Sequence, residues 1–177
     1  MSRQVDHAWS DQFLLRVAEI VGPYLLVPAS SEADMREVAD LVVPRFRQAV
    51  AVRLRRRAGN YPPSHFTLRL RKRSGARTEL AKIVDRHGDL MFYGHADHTT
   101  IDPWLLIDLH ALRAVFMRYP ELLHSLRRKH TNDNSDVIGK LDSGDGGLFV
   151  WIDVDKLPDN VLLARSPPVQ AELALTA

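Results

Sequence analysis

Two short runs, Val50–Arg55 and Phe66–Arg71, alternate apolar and basic side chains. In the first, Val50, Val52 and Leu54 share one side while Ala51, Arg53 and Arg55 share the other. In the second, Phe66, Leu68 and Leu70 oppose Thr67, Arg69 and Arg71. A period of two fits a pleated strand and not a helix, so both runs are predicted as half-buried strands that need a core against their apolar sides. Gly59-Asn60-Tyr61-Pro62-Pro63 between them reads as a loop. If the two strands pair, four arginines share one sheet face.

That face lies in an unusually one-signed segment. Residues 45–82 hold twelve basic side chains against one acid, Glu79, although the whole chain has a net charge of only +2. The local patch, rather than the net charge, sets the field that a polyanion feels. Arg53, Arg55, Arg69 and Arg71 present planar forks suited to phosphate oxygens, and Arg56, Arg57, Lys72 and Arg73 extend the patch at the strand ends. Tyr61, His65 and Phe66 interleave and offer rings for stacking on bases. Two other readings compete: a solvated basic sheet face, or arginines paired with the acids of Glu32–Asp40 or with an acidic protein partner.

The rest of the chain supplies flanking elements. Phe13, Leu14, Val17, Ile20 and Val21 recur at helical spacing after Ser10, and Gly22-Pro23 is expected to end that helix. Thr78 can cap a helix over 78–87 with Leu80, Ile83 and Val84 inward and Gly88 as terminator. Asp108 can cap another over 109–118, and 121–130 reads as a further short helix. Residues 40–43, 89–94, 104–107 and 148–154 are additional strand candidates, with 24–27 a strand or packed connector. Thr131–Gly147, rich in Asn, Asp, Ser and Gly, reads as a loop. The expected fold is one α/β or α+β domain over residues 1–157, with a central mixed sheet of five to six strands flanked by helices. Residues 158–177 are expected to form a C-terminal tail that frays.

Absence of cysteine removes disulfides, thiolate metal sites and thiol nucleophiles, and suits a reducing compartment. Met1–Ser10 includes Asp6 and no apolar run, so it does not read as a signal peptide. No apolar stretch approaches the roughly 18 residues that a membrane span needs. A cytoplasmic protein without a membrane partner is the expectation, and self-association as a homodimer stays open.

The order of helix, strand opening on Asp40, two further strands, helix from Thr78 and another strand resembles the core of the PD-(D/E)XK, or restriction-endonuclease-like, superfamily. The resemblance spans roughly residues 10–110 and rests on element order. It implies a nucleic-acid-binding protein acting as a Mg²⁺-dependent phosphodiesterase on DNA or RNA, with Asp40 and Glu79 as metal ligands and Lys82 positioning the attacking water. A divalent ion needs such hard oxygen ligands and lowers the pKa of the water it holds. The chain departs from the pattern where acid-x-Lys belongs on the strand after Asp40. Arg53-Leu54-Arg55 stands there, so Glu79 in Thr78-Glu-Leu-Ala-Lys-Ile83 has to serve from the helix. A non-cutting version of the fold fits the same residues.

A second cluster, His95, Asp97, His98, Asp102, Asp108 and His110, has the donor chemistry for Zn²⁺ or Mn²⁺ but no recognised spacing. Thr99–Pro103 within it reads as a hairpin turn. Asp133, Asp136, Asp142 and Asp145 fail the EF-hand template, and Gly144-Asp145-Gly146-Gly147 lacks the Lys-Ser/Thr of a phosphate loop. No Gly-x-Ser-x-Gly elbow is present, which leaves a serine hydrolase without support.

Overall fold

The structure is a computed structural model and describes residues 8–25, 27–28, 41–42, 48–57, 62–118, 138–142 and 147–167. A helical turn at 8–11 leads into helix α1, Leu14–Leu25, whose buried side is Val17 and Val21 with Phe13 one turn earlier. Gly22-Pro23 does not end it. Pro23 falls in the last turn, where the missing N–H leaves only one carbonyl to solvent while Val21 packing holds the helix in place. Strands β1 (Val27–Pro28) and β2 (Leu41–Val42) then form a small antiparallel ladder.

Strands β3 (Val50–Arg56) and β4 (His65–Arg71) follow, both at the positions their alternation predicts. They do not pair. β3 runs parallel to β5 (Leu90–Asp97), which pairs antiparallel with β6 (Thr100–Asp108), giving a mixed sheet. β4 belongs to another sheet, antiparallel to β8 (Leu148–Asp153), which also pairs with β7 (Ile138–Asp142). The fourth strand of the mixed sheet is β9 (Leu162–Arg165), paired with β6 after two 3₁₀ turns at Val154–Lys156 and Asp159–Val161. The expected single sheet of five to six strands is therefore one of four, β3-β5-β6-β9, and one of three, β4-β8-β7.

Two apolar layers hold these sheets. Val50, Val52 and Leu54 join Leu90, Phe92, Trp104 and Leu106 against α1. On the opposite side, Met91, Tyr93, Leu105 and Ile107 pack on Phe66, Leu68, Val150 and Ile152 of the three-stranded sheet. Helices α2 (Glu79–Val84) and α3 (Leu109–Arg118) close this second layer with Leu80, Ile83, Leu112, Val115 and Phe116. β5 is buried on both faces from Leu90 to Ala96, which is why it reads as a continuous apolar run instead of an alternation.

Local chemistry sets the helix ends. The Thr78 side chain accepts from the Ala81 N–H, and Asp108 Oδ1 accepts from the N–H groups of His110 (2.7 Å) and Ala111 (3.0 Å). Arg86, with φ of 67°, is the left-handed residue that ends α2: its N–H donates to the Ile83 carbonyl and the His87 N–H to that of Lys82, so Gly88 (φ of 75°), expected as the terminator, lies two residues further on.

Two other expectations are revised. The 131–147 segment contains β7, and residues 158–167, placed in a fraying tail, carry the second 3₁₀ turn and β9, with Val161 fully buried. The hairpin turn sits at 97–100, earlier than Thr99–Pro103, with His98 at φ of 45°. The expected helix at 121–130 lies outside the described residues. No described helix is long and apolar enough to cross a membrane.

Candidate nucleic-acid interface

β3 is an outer strand of the mixed sheet, and its odd-numbered arginines point to the side away from α1. Arg53 stands across from Tyr93, and Arg55 across from His95. β4 is likewise an outer strand of its sheet. It turns Phe66 and Leu68 into the core, so Thr67 and Arg69 lie on the opposite face beside Trp151 and Phe149 of β8.

Side chains from the two sheets meet across this junction. Arg55 Nη2 donates to Thr67 Oγ1 at 2.9 Å, and Thr67 Oγ1 lies 3.1 Å from the Tyr93 hydroxyl. The Arg55 guanidinium carbon is 4.9 Å from the centre of the Phe149 ring, and that of Arg69 is 4.6 Å from the same centre. Each cation gains from the negative face of the ring. Arg56 makes a similar contact with Trp9 at 4.6 Å. One arginine from each run, Arg55 and Arg69, is thus brought together through Phe149, and not through a shared ladder.

Arg53 takes a different role. Its guanidinium forms an ion pair with Glu79 Oε1, while Glu79 Oε2 accepts the Arg69 backbone N–H at 3.3 Å. Burial pushes the Arg53 pKa below its ordinary value, the neighbouring Arg55 adds to that, and Glu79 opposes it. Its Nε is buried and has no hydrogen-bond partner among the described residues. Glu79 therefore ties β3, β4 and the first turn of α2 together.

Further out, Arg57, Arg71 and Arg73 are exposed. Among the described residues no carboxylate pairs with Arg55, Arg56, Arg57, Arg69, Arg71 or Arg73. Lys72 donates to the Arg77 carbonyl (3.1 Å), and Arg77 pairs with Asp85. His65 and Trp151 stack at the other end of β4, with centroids 4.9 Å apart and planes 9° from parallel.

The residues expected to hold Mg²⁺ meet a mixed outcome. Asp40 lies outside the described residues. Lys82 is exposed on α2, one turn after Glu79. Both oxygens of Glu79 are engaged, and no group of three His, Asp or Glu side chains gathers to hold a metal ion among the described residues. As the described residues hold it, Glu79 is taken up by Arg53 and by the Arg69 N–H and presents no free carboxylate oxygen to a metal ion.

The histidine cluster is dispersed. His98 is exposed in the β5–β6 turn near Asp97 (3.4 Å), and His110 Nε2 lies 3.1 Å from Asp89 Oδ1. Asp108 is a helix cap. His95 is buried beside Tyr93, and its pKa is lowered by burial and then by the charges of Arg55 and Arg57. Of the calcium-type aspartates, Asp133, Asp136 and Asp145 lie outside the described residues, and Asp142 ends β7.

Thr67, Tyr93, Phe149 and Trp151 belong to this junction although sequence reasoning assigned them no site role. Only packing of the two sheets shows which of these rings lie beside arginines. Comparison with models of known protein families, with curated proteins and with solved structures gave no match.

Proposed function

We propose that the protein binds nucleic acid through the cationic surface where β3 of the mixed sheet meets β4 of the three-stranded sheet. The observation that carries this reading is the convergence of Arg55 and Arg69 on Phe149, with no described carboxylate paired to either. Two guanidinium groups held on one ring, with Arg57, Arg71 and Arg73 exposed nearby in sequence, repel one another, and an anionic ligand offsets that repulsion. Guanidinium forks match phosphate oxygens in pairs, and a nucleic-acid backbone supplies them in series.

Binding is the half of the sequence expectation that this geometry supports. Cutting by Mg²⁺ chemistry would require Asp40 together with a Glu79 released from Arg53. The test is fluorescence anisotropy with a short labelled DNA and an RNA of the same sequence, titrated across a range of salt. Affinity is expected to fall log-linearly with salt, and Arg55→Ala with Arg69→Ala to weaken it steeply. Unchanged affinity in that double variant overturns the proposal.

A further inference from the structure

We infer that the ligand is a single strand, with a base stacked on the Trp151–His65 pair and its backbone carried by Arg69 and Arg55. This rests on the nucleic-acid reading above and narrows it to unpaired bases.

The register of the three-stranded sheet puts the relevant groups on one face. Thr67 stands across from Trp151, and Arg69 across from Phe149, while Phe66, Leu68, Val150 and Ile152 take the other face into the core. Trp151 and His65 are each half-buried, so the pair is reachable from solvent while its lower parts are packed. Their near-parallel stack at 4.9 Å holds the indole in one orientation before any ligand arrives. Asp153 Oδ2, on the same face, lies 3.7 Å from His65 Nε2 and 3.7 Å from Lys156 Nζ, so its negative charge is met by neighbours within the fold.

On the far side of β8, the residue in register with Trp151 is Gly139 of β7. A glycine has no side chain to lay over the indole from that strand. At that register position the neighbouring strand adds no side chain against the indole, while His65 stacks on it from the β4 side.

Access to a base face decides between single and double strands. Phe149 is buried and carries the Arg55 and Arg69 guanidinium groups, so Trp151 and His65, both half-buried, are the rings of this face that can meet a base. A duplex keeps its base faces inside its own stack and offers Trp151 nothing to lie on, whereas an unpaired strand can turn a base onto it. Stacking tolerates any base, so no strong sequence preference is expected from this contact.

The experiment compares four probes by anisotropy and competition: a single-stranded DNA, a single-stranded RNA, a duplex of the same sequence, and inorganic polyphosphate, which has charge without bases. Single strands are expected to bind tighter than the duplex. Trp151→Leu is expected to weaken them by about ten- to a hundred-fold. Polyphosphate binding should be unaffected by that substitution, and Trp151→Phe should recover part of the loss. His65→Ala, which removes the supporting ring from the edge of the sheet, provides a second variant should Trp151→Leu fail to fold. Equal binding of duplex and single strand, or single-strand binding indifferent to both Trp151→Leu and His65→Ala, overturns the inference and leaves the cationic surface in place. Failure of all four probes to bind overturns both.

Discussion

Glu79 receives the Arg53 guanidinium on one carboxylate oxygen and the Arg69 backbone N–H on the other. The one acid in a 38-residue basic segment thus joins an outer strand of each sheet to the start of α2. Glu79→Gln leaves a half-buried guanidinium without its counter-charge and is expected to destabilise the fold by about 1–3 kcal/mol. Replacing both partners, Arg53→Met with Glu79→Leu, removes the charge together with its partner and should restore much of the loss. Urea denaturation reads both. A midpoint unmoved by Glu79→Gln would show that the pair does not hold the sheets together.

Arg113 joins α3 to the end of α2. Its Nε donates to the Ile83 carbonyl at 2.6 Å, and Nη2 donates to those of His87 (2.8 Å) and Gly88 (2.5 Å). The Ile83 carbonyl belongs to the last turn of α2, and those of His87 and Gly88 to the segment that leads away from it. Arg113→Met keeps the apolar stem and loses the donors, at an expected cost of about 2–4 kcal/mol. Hydrogen exchange should show protection lost first around Asp85–His87. Uniform loss across the molecule would count against this local role.

Gly94 sits at the irregularity in the β5–β6 ladder, and a Cβ there would lie 2.6 Å from Ile101 Cγ2 and 3.1 Å from Phe92. Gly94→Ala is expected to destabilise by about 1–3 kcal/mol through overpacking. The same change in an Ile101→Ala background should cost less, because the nearest obstructing atom is gone. Thermal melts of the four proteins in this cycle decide it, and strict additivity would refute the clash.

His95 reports on the cationic junction. Its pKa is lowered from 6.5 by burial, then by Arg55 and Arg57. Arg55→Ala should raise it without reaching 6.5, since burial persists. An NMR titration of the imidazole is the measurement, and an unmoved pKa would place Arg55 too far away to matter. The sign for stability follows. Below 6.5 the unfolded chain binds the proton more readily than the folded one, so this residue lowers stability as pH falls and has no such effect well above 6.5.

Much of this arrangement is legible from local patterns. The alternation of β3 and β4, the Thr78 and Asp108 caps and the 109–118 helix each depend on residues within one turn or one strand. β9 was not legible, because Leu162–Arg165 is a four-residue strand after a turn at Pro158 and gains its structure from pairing with β6. β7 was hidden in a segment whose composition reads as a loop, and it exists by pairing with β8.

By itself the sequence determined that Arg53, Arg55, Arg69 and Arg71 would sit on the polar sides of two strands, because side-chain period follows from backbone geometry alone. It could not decide which strands those two would pair with. That choice depends on β5 and β8, which lie 34 and 77 residues or more downstream of the ends of β3 and β4, and on the apolar faces they offer. Only the tertiary structure put Arg55 and Arg69 on the ring of Phe149 and set Glu79 against Arg53. Contacts between residues far apart in the chain arise from packing two sheets, which no local period encodes.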